Sequence, residues 1–176
     1  TQTGFNDSKW SSVKVQNYPK NILLATYNEM VKKHETFKPI RIFKTPKNEH
    51  VIDFGQNLVG WVVLKVRGKA GDKITVSHAE VLDKLGNFYT ENLRAAKAED
   101  TYILKGGGEE IFEPHFTFHG FQFIRIEGYP GDVSKPEDVT AVALDAEMIP
   151  TGTVGTNNQM INQLQHNIQW GQRGNF

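Results

Sequence analysis

Histidines are the side chains in this sequence best suited to metal or acid–base chemistry, so their spacing is considered first. The chain contains six of them. His115 and His119 lie four residues apart in a stretch with the pattern of a β-strand. At about 3.3 Å per residue their Cα atoms would lie roughly 13 Å apart, too far for two ligands of one zinc ion on a straight strand. We interpret them as separate structural histidines and predict no metal site.

His78 and Glu80 form a second candidate pair. Ile74 and Val76 occupy alternate positions of a predicted strand, and alternate residues share a face. The apolar row on that face therefore ends in an imidazole and a carboxylate, which need partners wherever they are buried. Three interpretations remain open: a hydrogen-bonded network at the rim of the sheet, a contact with a neighbouring domain, or a site for a sugar or a metal.

A long polar segment runs from Asn87 to Asp100 with little periodicity. A connection of this length inside a compact domain is usually functional or docked on another surface, although a solvated excursion would look the same in sequence. The side chains in it best suited to binding are aromatic, charged or amide groups: Tyr89, Glu91, Asn92 and Arg94.

Catalytic groups are not evident. Paired carboxylates that cleave a glycosidic bond need a set separation across a cleft, and nothing fixes that separation for Glu91, Glu99 and Asp100 on a loop. The sequence has no HExxH, GxSxG or Walker motif. The glycines 106–108 join two predicted strands and open no helix, so they form a turn and not a phosphate-binding loop. We predict no catalytic residue and no cofactor.

Composition excludes several classes of partner. The 20 basic residues equal the 20 acidic ones, whereas nucleic-acid binding usually needs an excess of positive charge. No apolar run approaches the roughly 20 residues of a membrane-spanning helix. The absence of cysteine excludes disulfides and thiolate chemistry but leaves the compartment open. We therefore predict no nucleic-acid partner and no membrane partner.

Alternating apolar residues predict an all-β fold. Val62, Leu64 and Val66 line one face of a strand from Gly60 to Arg67, and further strands are predicted over 73–77, 101–105, 116–127 and 139–144. Turns rich in glycine, aspartate and lysine separate them. Short strands at this spacing predict an antiparallel β-sandwich.

The two ends of the chain are less regular. Asn21 to Glu35 could form a helix or two extended pieces, and Pro39 favours extended structure before it. Near the C-terminus, Asn157 can cap a short helix that carries Met160, Ile161, Leu164 and Ile168 on one face. Both termini have the character of cut edges. We expect Leu164, Ile168 and Trp170 to lack a partner and to favour self-association of the fragment.

Several stretches together resemble one family, the bacterial α-L-rhamnosidases of glycoside hydrolase family 78. The resemblance extends from about Phe37 to the end of the chain. The motifs that carry it are DFGQNLVGW (53–61), HAEVLD (78–83), NFYTENLRAAKAEDTYILKGGGEE (87–110), EPHFTFHGFQFIRIEGYPG (113–131) and NQLQHNIQWGQRGNF (162–176).

The resemblance implies a modular enzyme in which a jelly-roll or concanavalin-like β-sandwich precedes an (α/α)6-barrel that hydrolyses terminal α-L-rhamnosides. It implies three regions: 1–18 as the tail of a preceding jelly-roll module, 19–150 as the β-sandwich, and 151–176 as a linker and the first helix towards the barrel. The barrel would be the partner of this chain in the same polypeptide. The acidic residues of catalysis would lie beyond Phe176, so we expect this fragment to be inactive. The residues do not fix the compartment of the parent, for which a periplasmic or extracellular location is the expectation.

Two roles remain for the sandwich itself. It can brace the barrel, with His78, Glu80 and the segment from Asn87 to Asp100 facing a neighbouring domain. Alternatively, it can be a carbohydrate-binding module for rhamnose-containing glycans, which needs an exposed aromatic platform. The candidates for that platform are Trp10, Trp61, Tyr89 and Tyr129.

Overall fold

The computed structural model describes residues 4–132 and 138–176, and within them it confirms the predicted all-β fold with a C-terminal helix. The strands are β1 (Val31–Phe37), β2 (Arg41–Lys44), β3 (His50–Arg67), β4 (Lys73–Ala79), β5 (Glu99–Ile103), β6 (Glu109–Phe112), β7 (His119–Glu127) and β8 (Val139–Ala146). One turn of 3-10 helix spans Glu91–Leu93, and helix α1 spans Gln159–Arg173. No helix in these two ranges has the length and apolarity needed to cross a bilayer.

Strand β3 organises the sheet because it pairs with four other strands, β2, β6, β7 and β8. All pairings are antiparallel, in the order β1-β8-β3-β7-β4-β5. The first half of β3, His50 to Asp53, pairs with β2, while the second half pairs with β8 over Gly60–Leu64 and with β6 over Leu64–Arg67. Strand β7 pairs with both halves, so β3 is the strand through which the others are connected.

A bulge separates the two halves of β3. The register with β7 shifts between Asp53 and Leu58, and Gly55 adopts a left-handed conformation with φ of 75°. The Asp53 carboxylate stabilises the bulge by accepting hydrogen bonds from the Gly55 amide at 2.8 Å and from Gln122 Nε2 at 3.0 Å. The strand predicted from Gly60 thus begins ten residues earlier, because the bulge interrupts its alternation without ending it.

The core lies between the two layers and contains the residues that alternation selected. Val62, Leu64, Val66, Ile74 and Val76 are all buried in one cluster. The other buried members of that cluster come from β3, the end of β5, β7 and β8: Ile52, Phe54, Leu58, Leu104, Phe121, Ile124, Ile126, Val139, Ala141 and Ala143. Burial of these side chains supplies the main stabilisation of the fold.

Element boundaries can now be compared with the sequence expectation. Strand β7 begins at His119, so Phe116 and Phe118 lie outside it and are exposed. The segment 21–35 contains no helix, and its last part forms β1 against β8, in agreement with the extended interpretation. Helix α1 is capped by Asn158, one residue later than predicted, and Asn158 Oδ1 accepts from the Met160 amide at 2.9 Å.

Substitution of Gly60 tests the packing of β3 against β8. A Cβ atom at this position would lie 1.8 Å from the Val142 carbonyl oxygen, which is a backbone atom that cannot move without breaking the pairing. Gly60→Ala should therefore lower the free energy of unfolding in urea by about 3 kcal/mol. Gly152→Ala is the control, because nothing lies within 4 Å of the corresponding Cβ. Equal stability of the two variants would contradict this view of the sheet.

Candidate functional site

Helix α1 is fixed to the sandwich by an ion-pair network around Arg173. The guanidinium donates to Glu35 on β1 at 3.1 and 2.6 Å, and to Asp145 on β8 at 3.1 and 2.9 Å. Asp145 is buried, and His34 Nε2 lies 3.6 Å from its other oxygen. A planar guanidinium can satisfy two carboxylates at once, so this one residue ties the end of α1 to both strands.

Trp170 adds an apolar contact to the same anchor. Its ring packs edge-on against Phe37, with 5.6 Å between centroids, and joins the main core cluster. The Arg173 guanidinium covers the ring at 4.2 Å. The expectation that Trp170 lacks a partner is therefore wrong, because the sandwich itself provides one.

The other face of α1 is open. Leu164 is 57% exposed and Ile168 is 55% exposed, as the sequence predicted. Met160 and Ile161 extend this exposed apolar face towards the start of the helix. We call these four residues the outer face of α1. Contiguous exposed apolar side chains of this kind mark an interaction surface.

A polar groove of about 560 Å³ separates α1 from the bulge of β3. Its side-chain amides can both donate and accept hydrogen bonds, which suits a ligand rich in hydroxyl groups. They belong to Gln56, Asn57, Gln122, Gln163, Asn167 and Asn175. Glu80 supplies the groove with its only carboxylate among the described residues, and its Oε1 accepts from Asn57 Nδ2 at 3.2 Å.

His78 lies elsewhere, inside a cluster that we call the histidine–aspartate cluster: His78 on β4, Asp100 on β5 and His119 on β7. The two imidazoles stack with centroids 4.2 Å apart. His119 Nε2 lies 3.1 Å from Asp100 Oδ1, and His78 Nδ1 lies 3.1 Å from the Ala98 carbonyl oxygen. His78 Nε2 has no hydrogen-bond partner, and its contact with Asp100 Oδ2 is 3.9 Å.

The structure thus separates the predicted pair. His78 continues the buried row of Ile74 and Val76 as expected, but it is fully buried and cannot touch a neighbouring domain directly. Glu80 follows the end of β4 and reaches the groove. The sequence did not predict that His119 and Asp100 lie beside His78, because these residues meet only through the pairing of β4 with β5 and β7. His115 contacts Glu113 and Trp61, away from this cluster.

The remaining predicted residues occupy different surroundings. Tyr89 is half-buried, and Glu91, Asn92 and Arg94 are exposed around the 3-10 turn. No hydrogen bond or ion pair joins these four side chains to His78 or Glu80 in the described ranges.

Trp61 is not an exposed platform for a sugar. Only 8% of it is exposed, and its Nε1 donates to Glu113 at 3.0 Å. The Lys33 ammonium lies 5.4 Å from the centre of its ring. Tyr129 is half-buried and donates to the Lys65 carbonyl, so only Trp10 among the predicted platforms is freely exposed.

Comparison with known proteins confirms the resemblance seen in the sequence. Residues 43–145, more than half of the chain, match the family described as the bacterial alpha-L-rhamnosidase concanavalin-like domain. The chain belongs to this family. The match covers β3 to β7 and nearly all of β8, so the concanavalin-like domain contains the bulge, the histidine–aspartate cluster and Glu80.

Relatives of this concanavalin-like domain are much longer proteins. An alpha-L-rhamnosidase of Streptomyces avermitilis is 41% identical over the whole chain, and one of Formosa agariphila is 33% identical. The chain covers only 17% and 19% of their lengths. The domain is thus a small part of a larger polypeptide in these relatives.

Solved structures agree with this assignment. The Streptomyces avermitilis alpha-L-rhamnosidase complexed with L-rhamnose matches with a TM-score of 0.86 and 42% identity, over 98% of this chain and 17% of that one. The native enzyme from Aspergillus terreus matches with a TM-score of 0.89 and 37% identity, over 99% of this chain and 20% of that one.

The buried imidazole of His78 makes stability depend on pH. Burial, followed by the nearby His119, lowers the pKa of His78 from 6.5 to about 4. The unfolded chain therefore binds a proton at a higher pH than the folded domain does. The stabilisation from neutral His78 is complete above pH 6.5 and is lost as the pH falls to about 4. The free energy of unfolding should therefore fall by on the order of 3 kcal/mol over this pH range.

The effect can be measured as the free energy of unfolding in urea at several pH values between about 4 and 6.5, in chelator-treated buffer. His78→Asn removes the titrating group, so the fall in unfolding free energy with pH should become shallower. His115→Asn, at an exposed histidine, should leave the slope unchanged. A slope that is the same in all three proteins would exclude His78 as its source.

Proposed function

We propose that this chain is the non-catalytic β-sandwich domain of an α-L-rhamnosidase and that it holds α1 as a docking surface for the catalytic domain of the same polypeptide. The observation that carries the proposal is the two-sided character of α1. Arg173 and Trp170 fix one side to the sandwich, while the outer face remains apolar and exposed. The length of the relatives supports a partner within the same chain.

The proposal divides the chain into three functional regions. Residues 1–18 are the tail of a preceding jelly-roll module, 19–150 form the β-sandwich, and 151–176 connect it through α1 to the catalytic domain, which we propose to be an (α/α)6-barrel. The residues from Glu147 to Asn158 contain no regular secondary structure, which fits a connecting segment. The Arg173 network would then set the angle at which the chain enters the next domain.

Hydrolysis of the rhamnoside is assigned to that other domain. A glycosidase needs two carboxylates about 5–10 Å apart across its cleft. The polar groove offers Glu80 alone, while Glu35 and Asp145 are neutralised by Arg173. We therefore expect no turnover of an aryl α-L-rhamnoside by the 176-residue chain.

A chimera tests the docking role. The matching segment of the Streptomyces avermitilis α-L-rhamnosidase is replaced by this chain, and melting temperature and rhamnosidase activity are measured. Leu164→Glu places a charge on the outer face of α1, so burial against a catalytic domain should cost the chimera several degrees of melting temperature and part of its activity.

Leu85→Glu is the matched control, since Leu85 is 77% exposed on the turn that follows β4 and is not part of the outer face. It should leave both measurements unchanged. If Leu164→Glu behaves like Leu85→Glu in the chimera, the outer face does not dock there. If it instead abolishes dimers of the 176-residue chain while sparing the chimera, the face serves self-association.

Carbohydrate binding is a second candidate, and the composition of the polar groove favours it. Several amides and one carboxylate there can share hydrogen bonds with sugar hydroxyls, and Trp170 lines the same space. Among solved relatives, one was crystallised with L-rhamnose. A rhamnose-containing glycan is therefore the ligand to test.

Titration of the 15N-labelled chain with L-rhamnose, followed by NMR, distinguishes the two roles. If the groove binds sugar, Gln163→Ala should weaken binding about fivefold, because it removes a hydrogen-bonding amide from the lining. Gln169→Ala is the control, since Gln169 belongs to α1 but does not line the groove. If L-rhamnose causes no chemical-shift changes, or if both variants bind it equally, sugar binding in the groove is contradicted and only the docking role remains.

A further inference from the structure

The histidine–aspartate cluster contains an electrostatic conflict. The Ala98 carbonyl can only accept, so His78 Nδ1 must carry the proton in its 3.1 Å contact. In neutral His78 this leaves Nε2 with a bare lone pair. Among residues 4–132 and 138–176 no donor reaches that buried lone pair, and Asp100 Oδ2, which lies 3.9 Å away, is also an acceptor. Two acceptors that face each other in a buried site repel unless a proton or a metal cation lies between them, and burial disfavours the protonated imidazole.

From this arrangement we infer that His78, Asp100 and His119 form a binding site for a divalent transition-metal ion of the zinc type. One ligand atom from each of the three residues lies within 4.8 Å of the others. Zinc bonds nitrogen and oxygen at about 2.0–2.2 Å, so its ligands lie roughly 3.3 Å apart. The three groups need to approach each other by up to about 1.5 Å, and the stacked imidazoles need to tilt so that both ring nitrogens face the ion.

The surroundings of His78 are those of a metal ligand. A metal-binding histidine usually donates its other ring nitrogen to a carbonyl or carboxylate, which fixes the tautomer and the ring. His78 Nδ1 makes that bond to Ala98, whose carbonyl also accepts from the His78 amide at 2.9 Å. The imidazole is thus oriented with Nε2 towards Asp100 before any ion binds.

The type of ligand selects the type of ion. Two imidazoles and one carboxylate suit zinc and its neighbours in the first transition series, whereas calcium and magnesium prefer oxygen ligands throughout. His119 keeps 12% of its side chain exposed and Asp100 keeps 9%, so an ion can reach the site from the surface. The ion would displace the proton that His119 shares with Asp100.

The metal would act as a cross-link. Its ligands come from β4, β5 and β7, which are neighbours in the order β7-β4-β5. Binding would therefore join three strands at the position where β4 ends and the long polar connection returns to β5. This role is structural and independent of the docking function proposed above.

Calorimetry and thermal melting test the site on the 176-residue chain after chelator treatment and desalting. Zn²⁺ should bind with a stoichiometry of about one and, at about 100-fold its dissociation constant, raise the melting temperature by roughly 5 °C. Co²⁺ should give the visible absorption of a low-symmetry, four- or five-coordinate site. Ca²⁺ and Mg²⁺ should change neither measurement.

Variants localise the binding. Asp100→Asn and His119→Gln change side chains at the accessible side of the cluster, and far-UV circular dichroism shows whether each still folds. Each should weaken Zn²⁺ binding at least about tenfold. His115→Gln and His166→Gln remove exposed histidines and should bind as the wild type does. Absence of a Zn²⁺-dependent shift in the wild type, or retention of wild-type affinity in both cluster variants, would overturn the assignment.

Discussion

The bend in β3 is the constraint on which the rest of this domain depends. A single strand of 18 residues pairs with β2 before the bulge, with β8 and β6 after it, and with β7 on both sides, so one continuous backbone connects the strands of the sheet. A straight strand could not do this. The bulge at Gly55, stabilised by Asp53, makes the change of direction and also forms one wall of the polar groove. The same backbone irregularity thus contributes to both the sheet and the polar groove.

Helix α1 owes its position to charges that the sandwich keeps half-buried. An exposed ion pair contributes little, but Asp145 is buried and Arg173 is mostly covered, so removal of either would leave a poorly solvated charge. Trp170 complements the network by filling an apolar contact beside Phe37. Because both contacts lie in the last turn, the start of the helix is held less firmly than its end. An element anchored at one end in this way suits a joint between domains.

Local periodicity was sufficient to predict most of the architecture. Val62, Leu64 and Val66 alternate without interruption, and the core residues followed directly. The exposure of Leu164 and Ile168 on α1 also followed from a simple pattern, whereas Glu80 did not continue the buried row that contains His78. The motifs shared with α-L-rhamnosidases identified the family, which hydrophobic patterning alone could not have done.

What the sequence could not supply was long-range register. His78 and His119 are 41 positions apart in the numbering, and only the pairing of β4 with β7 stacks their rings. The spacing of His115 and His119 concerns two residues along one strand, whereas the histidine–aspartate cluster forms across three strands. The prediction for Trp170 was wrong for the same reason, since its partner Phe37 lies 133 positions earlier in the sequence. The register between strands decides which side chains meet across a sheet, and the periodicity of a single strand does not encode that register.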